Sequence, residues 1–430
     1  MKVENCDVVI VGSGVAGLIC ALSLNKKFKI ILLTKKKLKD SNSYLAQGGI
    51  SVCRGKEDRE EYIEDTLIAG HYKNNKEAVE ILVDESEEAI KTLIENGVKF
   101  TGDKKGLFYT REGGHRKFRI LYCEDQTGKY IMESLIEKIL ERDNLKIIED
   151  CEFLDIIEKE NNCLGILAKK EEIFAIKSKF TVLATGGLGG IYKNTTNFSH
   201  IKGDGIAVAI RHNIELKDIS YIQIHPTTFY TMGNERKFLI SESVRGEGAI
   251  LLNQKLERFT DELKPRDKVT KAILEEMKKD KSEYEWLDFS TINLDIKERF
   301  PNIYNHLMKK GINPLKDKVP VVPAQHYTMG GIKVDINSKT SMKNLYAIGE
   351  VACTGVHGQN RLASNSLLES VVFAKRASQL IIDENNISVY NNITDDIFKN
   401  IVDRVIVTNE TENKNIIMQR IKEDELEKNR

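Results

Sequence analysis

The spacing of apolar positions changes several times along the chain, and each change marks an element. CDVVIV (6–11) is a short, mostly apolar run suited to a buried parallel strand, and VAGLICALSLN (15–25) carries apolar residues at helical spacing. FKIILL (28–33) returns to a strand pattern and completes a βαβ unit. Residues 57–97 are acidic and amphipathic, which predicts two helices closed by Gly97. Over 146–187 the pattern predicts a hairpin-like excursion returning to a strand at 180–185. Residues 219–327 hold all six prolines and alternate strands with short helices, as an inserted domain does. NLYAIGEV (344–351) predicts one more strand, ending at Gly349 and Glu350. Beyond 395 the chain is highly charged, with Ile397, Ile401 and Val405 four apart and a further turn at Ile416 and Ile417. That predicts a docked helix with a frayed end. The resulting division is 1–218, 219–327, 328–395 and 396–430.

Composition narrows the class. The 430 residues suffice for a large core and a second domain. Lys and Arg together number 65, as do Asp and Glu, so no positive excess marks a nucleic-acid binder. No apolar run reaches the roughly 20 residues of a membrane helix. The opening MKVENCDVVIVGSG enters a strand too early to leave room for a signal peptide. Seven scattered cysteines without a C-x-x-C pair predict reduced thiols in a cytoplasmic protein, and neither a disulfide framework nor a zinc site.

The chemistry begins at Gly12, Gly14 and Gly17, a G-x-G-x-x-G between the first strand and helix. Gly12 permits a tight turn, Gly14 lets backbone approach a pyrophosphate, and Gly17 packs helix on strand. The second strand departs from the NAD pattern. Where an Asp or Glu usually takes the ribose, this chain has LLTKKK, with Thr34 and Lys35. That shifts the expectation toward FAD. SNSYLAQGG (41–49) and LATGGLGGIY (183–192) add two more small-residue loops, and Glu350 in YAIGE is offered to a ribityl or ribose hydroxyl. HGQNRLASNSLLES (357–370) enters a helix with Ser364, Asn365 and Ser366 in succession, behind His357 and Arg361. One such residue suffices as a cap, and Ser364 is expected to serve.

Eight stretches, GSGVAGL, AQGGI, REGGH, QIHPT, ESVRGEGA, PRDKV, PAQHYTMGGI and GQNRLASNSLLE, follow one another in a recognisable order. Through them the chain resembles the succinate dehydrogenase and fumarate reductase flavoprotein superfamily from about residue 5 to 395, and within it the branch that oxidises L-aspartate. The resemblance implies an α/β fold: a doubly wound, Rossmann-like FAD-binding domain interrupted by an α+β capping domain, with a short C-terminal helical tail. It implies that FAD is held by Gly12, Ser13, Gly14, Val15, Ala16, Gly17, Thr34 and Lys35. Asn42, Ser43, Tyr44, Leu45, Ala46, Gln47, Gly48 and Gly49 join them, with Asp204, Glu350, Ser366 and Leu367. Ser366 and Leu367 would set a helix N-terminus against the flavin pyrimidine oxygens. Covalent members carry a His just before A-Q-G-G. Asn42, Ser43, Tyr44 and Leu45 stand here, so non-covalent FAD is expected.

For the substrate the resemblance implies Glu112, Gln223, His225, Ser241, His326, Arg361 and Ser364. Arg361 would grip a carboxylate bidentately. His326 with Arg361 would serve one end of a small dicarboxylate, and His225 with Ser241 the other. Glu112 supplies an anion suited to a substrate ammonium. Arg266 would exchange a proton near the reacting carbon through Glu242 and Arg245. An Arg is normally protonated, so for oxidation the alternative is an amine already neutral when hydride leaves. Both stay open. His71, His115, His200, His212 and His306 read as ordinary residues, and His357 is undecided.

The activity implied is oxidation of L-aspartate to iminoaspartate, with electrons passed to oxygen or fumarate and the product going to quinolinate synthase on the way to NAD. No metal, nucleic acid or membrane is expected. A soluble fumarate reductase is the alternative enzyme. A flavoprotein whose FAD is structural or serves RNA modification is a different class, opposed by the charge balance and by the set Arg266, His225, His326 and Arg361. Most members of the branch continue as a helical bundle, near whose beginning this sequence stops. The expectation is that the bundle is dispensable or that a second subunit replaces its surface.

Overall fold

The computed structural model describes residues 1–233, 235–387 and 409–429. Its central sheet has seven strands. Five are parallel, in the order Leu145–Ile148, Ile30–Leu33, Lys2–Val11, Ile173–Leu183 and Leu345–Ala347. The first strand begins at Lys2 rather than at residue 6, because 2–6 pairs with Phe174–Ser178. Ile173–Leu183 has two partners on its other edge. Its second half takes Leu345–Ala347, and its first half takes Asn162–Lys169, which turns back along Glu152–Lys159. The antiparallel excursion is therefore part of the sheet. Val8, Val9, Ile10 and Val11 are all buried, as expected where both faces of a parallel sheet are covered. One face carries the helices Val15–Ser23, Thr127–Leu140 and Asn365–Ile387. The other carries Asp204–Arg211 and Glu410–Lys428.

Residues 57–97 form three helices, not two: Lys56–Ala69, Lys76–Asp84 and Ser86–Glu95. The last two break apart at buried Ser86, whose hydroxyl donates to Val83 O and accepts the Cys53 N–H at 2.9 Å. A second, antiparallel sheet is built from Ile222–Phe229, Val319–Thr328, Glu285–Asp288 and Ile250–Leu252. Helix Arg266–Asp280 packs on it, and it has its own core around Leu251, Val269, Ile273, Phe289 and Val321.

Ile397, Ile401 and Val405 lie outside the described residues. The turn expected at Ile416 and Ile417 is a 19-residue helix, opened by a capping box between Asn409 and Glu412. Its far end is tied down rather than frayed. Lys428 stands 3.0 Å from Asp218, and Asp424 accepts from the Ser220 N–H at 2.9 Å.

Candidate active site

A long cleft enclosing about 1680 Å³, open solvent included, runs between the two sheets. Its floor is the first βα turn. Gly12 has φ +115°, and a Cβ there would lie 2.1 Å from Ala184 O, so only glycine fits. Gly17 stands behind the floor and lets the helix approach Gly12 O. At the end of the second strand, Thr34 accepts from Ser13 Oγ at 2.9 Å. Lys35 is ion-paired with Asp204 at 3.1 Å and with Glu152 and Glu410 at longer range. Burial works against its charge, yet these three carboxylates hold its pKa above the usual lysine value. In the middle of the cleft, half-buried Glu350 accepts from the Thr328 N–H at 3.0 Å, and removal from solvent pushes its pKa up to about 7. Gly187 makes room for it, since a Cβ there would be 2.4 Å from the carboxylate.

The cleft walls also contain buried polar atoms with no partner: Ser41 Oγ, Asn42 Nδ2, Gln47 Oε1 and Thr185 Oγ1. Buried polar groups are normally bonded. Four unbonded ones around a glycine-floored cleft fit a long ligand with many polar atoms, which FAD is. One side chain expected at the cofactor points elsewhere. Tyr44 turns away, and its hydroxyl donates to Glu133 at 2.8 Å. The 42–45 segment is a tight 3-10 turn, so four successive side chains cannot face one way.

At the opposite end, side chains of the second sheet and the 357–370 segment close a charged chamber. Arg266, first residue of its helix, donates from Nε to Glu242 Oε2 at 2.5 Å and from Nη1 to Gln223 Oε1 at 2.9 Å. Arg245 stands 3.8 Å beyond Glu242. Burial opposes the Glu242 charge, but Arg266 and Arg245 hold its pKa below the ordinary carboxylate value. The His225 and His326 rings meet edge to face, 5.4 Å apart. Burial, together with the Arg266 charge, drives both well below the usual histidine pKa, Arg361 adding to the effect on His326. The two clusters expected at separate ends of a substrate are therefore contiguous. The Thr227 N–H donates to His225 Nδ1 at 3.2 Å, which fixes the neutral tautomer and leaves Nε2–H as a donor.

Arg361 is buried over the Tyr327 ring, 4.5 Å from its centroid, and donates to Ser366 Oγ at 2.8 Å. Its Nε has no partner, and no carboxylate pairs with it among the described residues. Burial and the Arg266 charge lower its pKa to about 10, so it is still cationic at neutral pH. Glu112 accepts from Ser364 Oγ at 2.6 Å and more weakly from Ser243 Oγ. Burial raises its pKa, and the Glu242 charge adds to that. Ser241 lines the chamber while capping the short helix Glu242–Gly246.

Two expectations change here. Ser364 does not cap the long helix. It has φ +62°, and its hydroxyl serves Glu112 and the Gly49 N–H. Gln223 does not face the cleft either. Its amide bonds to Asn360, Arg361 O and Arg266, which places it as the strut between the two arginines. His357 belongs to neither wall and pairs with Glu369 at 2.8 Å. Sequence reasoning missed Thr196, Asn197, His200, Arg236 and Tyr327, all of which line the cleft. Thr196 bonds His326 Nδ1 at 2.8 Å, a contact across 130 residues that no local pattern announces.

Comparison with known proteins agrees with this geometry. The chain matches the family described as FAD binding domain over residues 7–367. It is 55% identical to an L-aspartate oxidase of Clostridium perfringens over 375 residues, covering 86% of this chain and 85% of that protein. With an L-aspartate oxidase of Clostridium acetobutylicum it shares 53% over 379 residues, 87% of each chain. Among solved structures, E. coli quinol fumarate reductase FrdA, in a point-mutant form, superposes with TM-score 0.86 at 29% identity over 94% of this chain and 74% of that one. A quinol-fumarate reductase with menaquinol molecules gives 0.87 at 29% identity over 98% and 76%. The chain belongs to the FAD-binding oxidoreductases of the succinate dehydrogenase and fumarate reductase type, and FAD is its cofactor. Within that class it is a member of the L-aspartate oxidase family. Among the described residues no helix is long and apolar enough to cross a membrane.

Proposed function

We propose that the chamber oxidises L-aspartate to iminoaspartate, with 219–327 acting as the cap that closes over the substrate. Bound FAD supplies the two-electron acceptor for hydride from the α-carbon. It is held without a covalent bond, since 41–49 offers no His or Cys. The residues of the chain do the rest. Arg361 holds one carboxylate, and the fork left free beside Ser366 favours a two-bond grip. His225 Nε2–H and Ser241 take the other carboxylate. Glu112 holds the ammonium and takes the proton that its nitrogen releases as hydride leaves the α-carbon.

The observation that carries this reading is Glu112, a buried carboxylate hydrogen-bonded within an arginine cluster. A plain dicarboxylate gains nothing from it and binds best when Glu112 is protonated. Arg266, braced by Glu242 and Gln223, keeps Nη2 for the cleft and holds a proton over the reacting carbon. Oxidation does not need that proton, whereas fumarate reduction does. Fumarate is therefore an acceptor alongside oxygen. The product passes to quinolinate synthase toward NAD, in the cytoplasm.

The test is anaerobic. L-Aspartate should bleach the yellow protein and fumarate should restore the colour. Bleaching by succinate but not by L-aspartate would overturn the reading in favour of a plain fumarate reductase.

A further inference from the structure

The C-terminal helix, Glu410–Lys428, backs the wall of the cleft at Lys35 and Asp204, far from the substrate chamber. In a βαβ dinucleotide site the end of the second strand meets the adenosine ribose, so this is the adenosine end of the cofactor. Three kinds of contact join helix and wall. Glu410, in the first turn, accepts from Lys202 Nζ at 2.5 Å and stands 3.7 Å from Lys35 Nζ. Asn413, one turn on, accepts from Arg211 Nη1 at 2.6 Å. Arg211 closes the helix that Asp204 opens, so both ends of that helix are referred to this one. Ile417 is fully buried against Gly203, and its Cδ1 lies 2.9 Å from where a Cβ on Gly203 would stand. Gly203 has φ +84° and aims Asp204 into the cleft. The turn that presents Asp204 thus rests on Leu188 and Ile417.

We propose that the C-terminal helix is part of the FAD-holding apparatus, with Ile417 and Glu410 as positioning residues that hold the Gly203–Asp204 turn and Lys35 against the adenosine half of the cofactor. The helix does not reach the flavin half, whose walls come from 41–49, 350 and 366–367. Its effect is therefore confined to one end of the ligand. The inference rests on the cofactor assignment and is independent of which substrate is oxidised.

That confinement supplies the test. Full-length apoprotein is titrated separately with FAD and with FMN, which lacks the adenosine half, and binding is followed by flavin fluorescence. Ile417→Ala opens a cavity under the turn and should raise the Kd for FAD roughly tenfold, and Glu410→Gln about threefold. The Kd for FMN should stay within about twofold in both. Leu426→Ala, on an exposed position of the same helix, should leave both constants unchanged. If Ile417→Ala fails to fold, Glu410→Gln with an unaltered circular dichroism spectrum decides. Unchanged FAD affinity in the folded variants overturns the proposal. So does an equal loss for FAD and FMN, which would mean that the helix acts only through global stability.

Discussion

Lys35 and Arg361 are cations at opposite ends of one cleft, and they are treated differently. Around Lys35 the protein supplies its own anions, Asp204, Glu152 and Glu410. Around Arg361 it supplies a hydroxyl and an aromatic face, and among the described residues no carboxylate within ion-pairing distance, Glu350 and Glu112 acting on it only from farther off; one guanidinium nitrogen is left unbonded. A buried charge without a partner is costly. A protein that completes one charge and leaves the other open has reserved the second for something that arrives from outside. The cofactor end is thus finished by the chain, while the substrate end is finished by an anion.

The contrast breaks most visibly at Arg361. Arg361→Lys keeps the charge but loses the planar fork, and kcat/KM for L-aspartate should fall by about 2–5 kcal/mol of transition-state stabilisation. Near-parent turnover would remove Arg361 from the site. Arg266→Leu should lower kcat for fumarate reduction by about 10²–10⁴-fold, while succinate affinity, read from the flavin spectral shift, largely survives. Equal losses in both would make Arg266 a binding residue.

Glu112→Gln should lower L-aspartate oxidation by about 10–100-fold and leave fumarate reduction unchanged or improved. An equal fall in both activities would make Glu112 structural. The same carboxylate sets a pH signature. Its pKa is raised by burial, and succinate, with two negative charges, favours its protonated form. Succinate binding should therefore weaken as pH rises through the Glu112 titration, by at most about tenfold per pH unit. Aspartate binding should strengthen over the same interval, and Glu112→Gln should flatten both profiles. The smallest effect belongs to Lys35. Lys35→Met should change kcat at saturating FAD by less than about twofold, because that charge is already balanced and lies outside the chamber. A large loss of kcat there would dissolve the contrast.

Much of this was legible in the sequence, for particular reasons. Gly12 announces the floor because no other residue permits that turn beside Ala184. Arg266, His225, His326 and Arg361 were found through motifs, and the structure brings them into one chamber. What could not be read is which way side chains face. The tight turn at 42–45 sends Tyr44 outward, and the left-handed Ser364 turns its hydroxyl from the helix to Glu112. Nor could pairings across long stretches be read. Lys35 finds Glu410, and His326 finds Thr196, through topology rather than pattern.

The central sheet has a temporal consequence. Ile173–Leu183 receives its last parallel neighbour, Leu345–Ala347, only after the whole second sheet and its separate core have intervened. Sheets joined across such separations form slowly, and intervening units with their own core fold ahead of them. The glycine floor at Gly12 and the wall at Glu350–Leu367 therefore meet late. In a refolding experiment the quenching of added FAD should lag behind the recovery of secondary structure, and FAD uptake becomes a clock for the final step of folding.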